Sequence, residues 1–488
     1  MTIRVPEDVA RDATALCSGC GQCIEQLADS PCLYFPRLSA LQERGRRGGA
    51  DPSSRELSEL IDLCNGCGLC PCADVRVKIR EAKDAFVARD GLGYGVRLLE
   101  DVPKLAALCG VLPALTNRVL GFEPLARLAK RTIGVHPDRL VPPVPARPFD
   151  DWAARHGLDR RCDEAEHRVA YFVGCTARWF YPEIAIATVE VLKANGIAVW
   201  VPPQTCCGMP PHLEGDRDLT FERVSENIDA LSIAIESGYD VVTACPTCSF
   251  MFKSVLARGA QFAEDRRRRI EDLAEELGRD AEAIHRRLAE EDLAPTGRAN
   301  AAADAFHEPW VINQILGRRY SGEASDAGYF ADIDPEVRIR IAGHVFELGE
   351  YLQILDREGR LRRDVVLPET AATYYPPCHL REQGIGMPWR ELLADVGGRD
   401  LPILGDGDDC CGLGGVMGLK AGFHDTSVAM GARLMDKARA AAPERVVTEC
   451  LGCRMQFRQL TDFPVVHPVE CLAEAYRRRN REKIEGSG

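Results

Sequence analysis

The sequence of 488 residues has no run of about eighteen apolar residues, so no segment is expected to span a membrane. Its opening, MTIRVPEDVARDATAL, carries acids and polar residues where a secretory signal needs an apolar core, which points to a cytoplasmic chain. Excess positive charge is missing as well. The formal net charge is −13, and the basic tracts near Arg46 and at Arg266–Arg269 are short enough to be solvated faces. A nucleic-acid partner therefore has no electrostatic support. No G-x-G-x-x-G opens a helix after a strand, so neither a flavin nor an NAD site is expected. The GLGG at 412–415 follows cysteines, where it suits close backbone packing.

Cysteine is abundant, with 21 in the chain. A reducing compartment argues against a disulfide framework, and cysteine-rich intracellular chains usually bind metals. The remaining composition, 45% hydrophobic and 28% charged, is that of an ordinary globular protein, and the length calls for about three domains.

Two helix-like cysteine clusters occupy residues 1–90. Residues 91–165 read as amphipathic helices followed by a proline-stiffened linker, VHPDRLVPPVPARPFDDW. The most apolar stretch, Leu105 to Leu120, is expected to form a packed helix pair, with peripheral contact on the inner face of a membrane as the alternative. Strand and helix signals then alternate over 166–260 (RVAYFVG, a helix at 183–195, IAVWV, a helix at 217–236, DVVTA). They alternate again over 366–480 (TYYPP, a helix around 388–396, LPIL, a helix around 425–441, RVVTE). Residues 261–365 read as a charged helical insertion with Ile270, Leu273, Leu277, Ile284 and Leu288 at helical spacing. A loop over 295–330 and a helix at HVFELGEYLQIL complete that segment. The expected architecture is α+β multidomain: a helical N-terminal domain, then two duplicated α/β domains with mostly parallel sheets.

The duplication is carried by five cysteines. Cys175, Cys206, Cys207, Cys245 and Cys248 recur as Cys378, Cys410, Cys411, Cys450 and Cys453, at offsets of 203, 204 and 205 residues along the unit. Four of the ten directly follow a strand, where doubly wound sheets form their sites. Gly208 and Gly412, after each Cys-Cys pair, let the backbone fold close to a bulky group. Tetrahedral zinc prefers four ligands, commonly in paired CxxC units, whereas each repeat has one CxxC, a Cys-Cys pair and a lone cysteine. A vicinal disulfide would be strained and would leave three cysteines unexplained. Five soft thiolates suit an iron–sulfur cluster.

The N-terminal triplets Cys17-x2-Cys20-x2-Cys23 and Cys64-x2-Cys67-x2-Cys70 begin the bacterial ferredoxin ligand run. The fourth ligands depart from it. Cys72 makes CPC with Cys70, and Cys32 follows Pro31. The expected exchange gives Cys72 to the first [4Fe-4S] cubane and Cys32 to the second. His379, directly after Cys378, is the candidate catalytic residue, either donating a proton or hydrogen-bonding a cluster sulfur, with a structural role as the alternative. Cys109, Cys162 and Cys471 read as packing residues, and Lys420 and His424, near the second Cys-Cys pair, as surface residues, with tuning or binding at that site as the alternative.

These residues, with KRTIGVHPDRLVP, YFVGC, TCCGMP, YYPPCHL, CCGLGGVMGLK and HPVECLAEAY, resemble the CCG (cysteine-rich) domain iron–sulfur family joined to a ferredoxin-type dicluster domain. Its branches include the B and D components of heterodisulfide reductase, the iron–sulfur components of glycolate and lactate oxidation, and the C component of anaerobic glycerol-3-phosphate dehydrogenase, the nearest in pattern. The resemblance implies two cubanes and two CCG-domain clusters, of the noncubane kind in the heterodisulfide reductase branch. It implies an electron-transfer subunit that takes electrons from a flavoprotein dehydrogenase and passes them to a quinone or similar acceptor. The alternative is a catalytic subunit that reduces a disulfide at paired clusters beside a heterodisulfide reductase A-like flavoprotein. A structural zinc protein is the third reading.

Overall fold

The computed structural model describes residues 5–17, 27, 30–70, 73–260, 263–276, 280, 328–367, 371–398 and 400–485. Near the N-terminus, α1 (Pro6–Ala15), α2 (Tyr34–Arg46), α3 (Ser54–Asp62) and α4 (Ala73–Asp90) share a core that includes Val9, Leu38, Leu57, Leu60, Ile79 and Phe86. A capping box, in which Ser53 and Glu56 satisfy each other's backbone amides, starts α3. α1 lies along α4.

Four short helices follow: α5 (Tyr94–Glu100), α6 (Val102–Gly110), α7 (Pro113–Gly121) and α8 (Glu123–Thr132). Prolines in the first turns of α6, α7 and α8 start each helix where its amides lack partners anyway. α6 packs on α7, as expected over Leu105 to Leu120, and α7 on α8, but the expectation of a packed pair fails on their outer faces. Leu108, Val111, Leu112, Leu115, Phe122, Leu125 and Leu128 are exposed, Val111 by 74%. Helical periodicity defines an apolar face without specifying what covers it.

Beyond Ile133 the chain is extended, as its prolines require, yet it is no free spacer. Val135 bridges Lys420, the Ala421 amide donates to Gly134 O (2.9 Å), and the Leu140 amide donates to Gln459 Oε1 (2.6 Å). The His136 ring stacks on His424 with centroids 3.9 Å apart. This strap buries His424 and half-buries Lys420, correcting their expected surface placement. The linker reading also runs too far, because α9 (Phe149–Arg155) forms within it.

The first repeat runs β1 (Arg168–Tyr171), α10 (Cys175–Trp179), α11 (Pro182–Ala194), β2 (Ala198–Trp200), α12 (Met209–Glu214), α13 (Arg217–Glu236), β3 (Asp240–Thr243) and α14 (Pro246–Phe250). In the segment expected as an insertion, α15 (Glu264–Glu276) buries Ile270, while Leu277, Ile284 and Leu288 lie outside the described residues. α16 (Pro335–His344) then leads into β4 (Val345–Glu347), which pairs in parallel with β3. Residues 345–347 fall within the helix expected at HVFELGEYLQIL. They instead complete the first sheet, in the order β2-β1-β3-β4, and α17 (Leu348–Arg357) follows. Three buried residues are too few to display a period, and side chains buried on both faces favour a strand.

The second repeat has β5 (Ala372–Tyr374), α18 (Cys378–Arg381), α19 (Pro388–Gly397), α20 (His424–Ala441), β6 (Arg445–Val447), α21 (Leu451–Leu460), β7 (Val465–Val466) and α22 (Pro468–Glu485). Its parallel sheet runs β5-β6-β7, and Ile403 from LPIL adds a single bridge beside Tyr374. The duplication therefore extends to the last strand. Glu347 caps α17 with Glu350 reaching back, and His467 opens α22 with Glu470 reaching back to its amide. The copies pack reciprocally, α11 against α22 and α19 against α17, around one core containing Val191, Leu192, Leu352, Trp389 and Leu472. Fully burying each such side chain contributes about 1.5–3 kcal/mol. Among the described residues no helix is long and apolar enough to cross a membrane.

Candidate functional site

Each repeat places its cysteines where strands end and helices begin. In the first, Gly174 adopts a left-handed φ of 76° just before Cys175, and a Cβ there would meet Cys248 Sγ at 3.0 Å. Cys245 caps α14 and Cys450 caps α21, where the Cys453 amide donates to Cys450 Sγ (3.4 Å). Gly208 and Gly412 are also left-handed, and a side chain at Gly412 would collide with the Ser427 carbonyl and Gly431. Close backbone packing is therefore what the glycines around both Cys-Cys pairs provide.

In the first repeat Cys206 Sγ lies 3.7 Å from Cys175 Sγ, Cys207 contacts Cys206 and Cys248, and Cys245 contacts Cys248. In the second, Cys411 contacts Cys410 and Cys453, and Cys378 joins them through Cys450. The ionisation pattern repeats. Hydrogen bonds from the neighbouring thiols Cys206 and Cys410 pull Cys207 and Cys411 down. Cys175 and Cys453 are held well up, first by hydrogen bonding to Cys206 and Cys411 and then by burial. Five closely set thiols, most of them buried, cannot all ionise unless a cation joins them. Soft donors, close spacing and glycine clearance fit an iron–sulfur cluster in each repeat.

The N-terminal helical unit brings Cys32 together with Cys64, Cys67 and Cys70 around one cavity, lined also by Tyr34, Asn65 and Arg76. Burial pushes the Cys67 thiol up to about 12 and raises Cys70 and Cys32. Cys17 is buried in the same core, while Cys20, Cys23 and Cys72 lie outside the described residues. The thiols of this cavity lie toward the second repeat, while Gly66 at its edge packs on Leu213 of the first. Cys67 raises the thiols of both Cys378 and Cys410, Arg76 pairs with Glu382, and Asn65 packs on Gly414.

His379 sits where three units meet. Its Nδ1 is 2.9 Å from Thr247 Oγ1 in the first repeat's CxxC turn, its ring stacks on Phe250, and the Gly66 backbone is a further hydrogen-bond partner. Burial holds it down to about 4, so it is neutral at pH 7. Gln383 Nε2 donates to Pro246 O (3.0 Å) and Ser249 Oγ (2.9 Å), tying α18 to α14. The position matching His379 in the first repeat is Thr176, so the histidine breaks the symmetry. Of the cysteines outside every motif, Cys471 is buried in the shared core, and Cys109 and Cys162 are half-buried.

Sequence reasoning missed Glu382, Thr247 and Arg139, each of which acts across a domain boundary. Only KRTIGVHPDRLVP, one of the stretches that carry the family resemblance, held a signal for Arg139.

The cysteine-rich domain (CCG) family model matches residues 169–253 and 372–458, the two repeats. The chain is similar to the C component of anaerobic glycerol-3-phosphate dehydrogenase from Escherichia coli, with 21% identity over 363 residues that cover 74% of this chain and 72% of that protein. It is 23% identical over 318 residues to the B component of the fumarate reductase (CoM/CoB) of Methanothermobacter marburgensis, covering 63% of this chain and 46% of that one. Lactate utilization protein A of an Exiguobacterium species matches at 24% over 317 residues, covering 63% and 98%. These relatives are named as parts of oxidoreductase and lactate-utilization systems, and the chain carries two copies of the cysteine-rich CCG domain, one built around each set of five cysteines.

Proposed function

We propose that the chain is an iron–sulfur electron-transfer subunit of an oxidoreductase complex. It takes electrons from a flavoprotein dehydrogenase (glycerol-3-phosphate, 2-hydroxy acid or electron-transferring flavoprotein type) and delivers them to a quinone or similar acceptor. The observation that carries this reading is the packing of the Cys32/Cys64/Cys67/Cys70 cavity onto the second repeat, where Met430 lines it, Arg76 pairs with Glu382 and Asn65 packs on Gly414. Neighbouring thiolate sites would let electrons pass from one to the next.

The domains follow from this reading: 1–90 a ferredoxin-type dicluster domain, 166–260 and 366–480 the CCG domains, and β4 a strand that the first CCG domain takes from 261–365. The ligands would be Cys17, Cys20, Cys23 and Cys72, then Cys64, Cys67, Cys70 and Cys32, then the five cysteines of each repeat. Bound clusters would supply one-electron storage and transfer. The protein positions the thiols, excludes water from Cys206, Cys207, Cys410 and Cys411, and keeps His379 neutral.

Attachment to a membrane surface fits the same reading. The exposed apolar face of α6–α8 carries Lys104, Arg118, Arg127, Lys130 and Arg131 against the single acid Glu123, in a chain of net charge −13.

One observation favours disulfide reduction instead. The Cys378 helix and the first repeat's CxxC helix touch through His379 and Thr247, so the two five-cysteine sites approach each other across a buried histidine, which would have to take up a proton before it could pass one to a leaving thiolate.

Iron and sulfide per chain on anaerobically purified protein, with EPR of oxidised and reduced samples, test the reading. About sixteen irons, four per cluster, are expected. Zinc without iron would overturn it. Reoxidation of the reduced protein by a quinone analogue but not by a thiol disulfide separates the two acceptor classes.

A further inference from the structure

The two five-cysteine sites have nearly the same donor sets and different electrostatic surroundings. In the first repeat Arg178, three residues after Cys175, donates through Nη1 to Gln204 O (2.5 Å), and its Nε sits 2.7 and 2.9 Å from the two oxygens of Asp150. Its charge is neutralised. The matching residue of the second repeat is Arg381, three residues after Cys378, whose Nη1 donates to Gly407 O, one residue before the position that matches Gln204. Its other bond goes to Asp409 O (3.1 Å), and among the described residues it has no carboxylate partner.

A second cation is added on the same side. Arg139, from the strap over 133–140, is 1% exposed, and among the described residues its guanidinium hydrogen-bonds only neutral groups, Gln456 Oε1 at 2.6 Å and Ser427 Oγ at 3.0 Å. Both partners touch the Cys-Cys turn. A Cβ on Gly431, beside the Cys411 carbonyl, would lie 3.5 Å from Gln456 Nε2, and the Ser427 carbonyl closes over Gly412. Of the charged groups, Cys411 acts most on Arg139. A guanidinium buried without an anion is destabilising, so its place in the fold is explained by a negative group beside it. A thiolate-ligated cluster at Cys410 and Cys411 is such a group. In the first repeat the charged groups acting most on the cysteines are other cysteines.

We infer that Arg139, assisted by Arg381, is a positioning residue that sets the reduction potential of the second CCG site above that of the first, so that electrons collect in the repeat adjoining the N-terminal thiolates. This rests on both repeats holding clusters. Reduction adds negative charge, which a nearby uncompensated cation stabilises, while the Arg178–Asp150 pair gives the first site no such help.

The test is an EPR-monitored redox titration of the full chain with its clusters, with iron counted in every variant. Arg139→Gln should lower one CCG-cluster potential by at least a tenfold change in the reduced-to-oxidised ratio, about 59 mV for a one-electron couple, leaving the other in place. Arg139→Lys should restore most of it. Asp150→Asn, at a partly exposed site that is no ligand, should raise the potential of the other cluster by freeing Arg178. Iron in both repeats with no shift in Arg139→Gln, or equal shifts in both clusters, would overturn the inference. Wild-type protein lacking iron in either repeat would instead overturn the cluster reading on which it rests. Should Arg139→Gln not fold, Asp150→Asn decides alone, and no rise there refutes the asymmetry.

Discussion

The two repeats share strand order, cysteine order and even the capping of their last helix, but they differ in what surrounds them. The first is met by α5 and α6 and by a neutralised arginine. The second is met by the N-terminal cysteine cavity, the strap over 133–140 and two cations without carboxylate partners among the described residues. Duplication supplied two equivalent folds, and the neighbours made them inequivalent. That lesson governs which residues merit mutation: those at which one repeat has a partner that the other lacks.

The largest effect tests whether the repeats load independently. Cys207→Ser and Cys411→Ser should each remove about four irons per chain and one oxidised-state EPR signal while leaving the other repeat's signal intact. Loss of both signals from one substitution would show that the sites are built as a unit.

Next comes the packing between copies. Trp389 is fully buried at the α17–α19 contact, and its Nε1 donates to Glu347 Oε1 (3.1 Å). Trp389→Ala should cost about 3–5 kcal/mol. Ile186 of α11 is only partly buried against the same core, and Ile186→Ala should cost roughly 1–2 kcal/mol by denaturant midpoints.

The caps of the last helices should respond to pH with opposite signs. Burial holds His467 down to about 3 while it donates to Ala244 O, so its contribution is present above pH 6.5 and lost as pH falls from there toward 3. Burial, with repulsion from Glu449, holds its counterpart Glu347 well up, and that contribution is lost as pH rises above about 4.5. His467→Gln should flatten the acid side of the stability profile by up to a few kcal/mol, and Glu347→Gln the neutral side.

The smallest effect concerns α6–α8. Val111→Asp should weaken sedimentation with anionic liposomes several-fold, in line with about 1–2 kcal/mol for one inserted aliphatic side chain. Unchanged sedimentation would remove the membrane from the account of that face.

Much of this was legible in the sequence, for identifiable reasons. The five-cysteine units were readable because ligand spacing tolerates little drift, and their positions after strands followed from the α/β alternation. β4 was not readable, since Val345–Glu347 is too short for a period and lies about a hundred residues from the strand it joins. The exposure of Val111 was hidden because amphipathicity does not say what lies opposite. Arg139 could not be singled out, because a lone arginine in a proline-rich stretch looks like any solvated charge until the strap carries it under Cys411.

The separation of β3 from β4 also bears on how the chain folds. About seventeen residues separate β6 from β7, against about a hundred for β3 and β4. Closing the longer connection costs only about 1.5 kcal/mol more, so the insertion is tolerated at equilibrium. Timing is another matter. At ribosomal speeds of about 5–20 residues per second, β3 waits some 5–20 s for its edge partner, with a hydrophobic strand edge exposed. Expression in the cold or at high rate should tax this protein at that interval first, before any cluster is inserted.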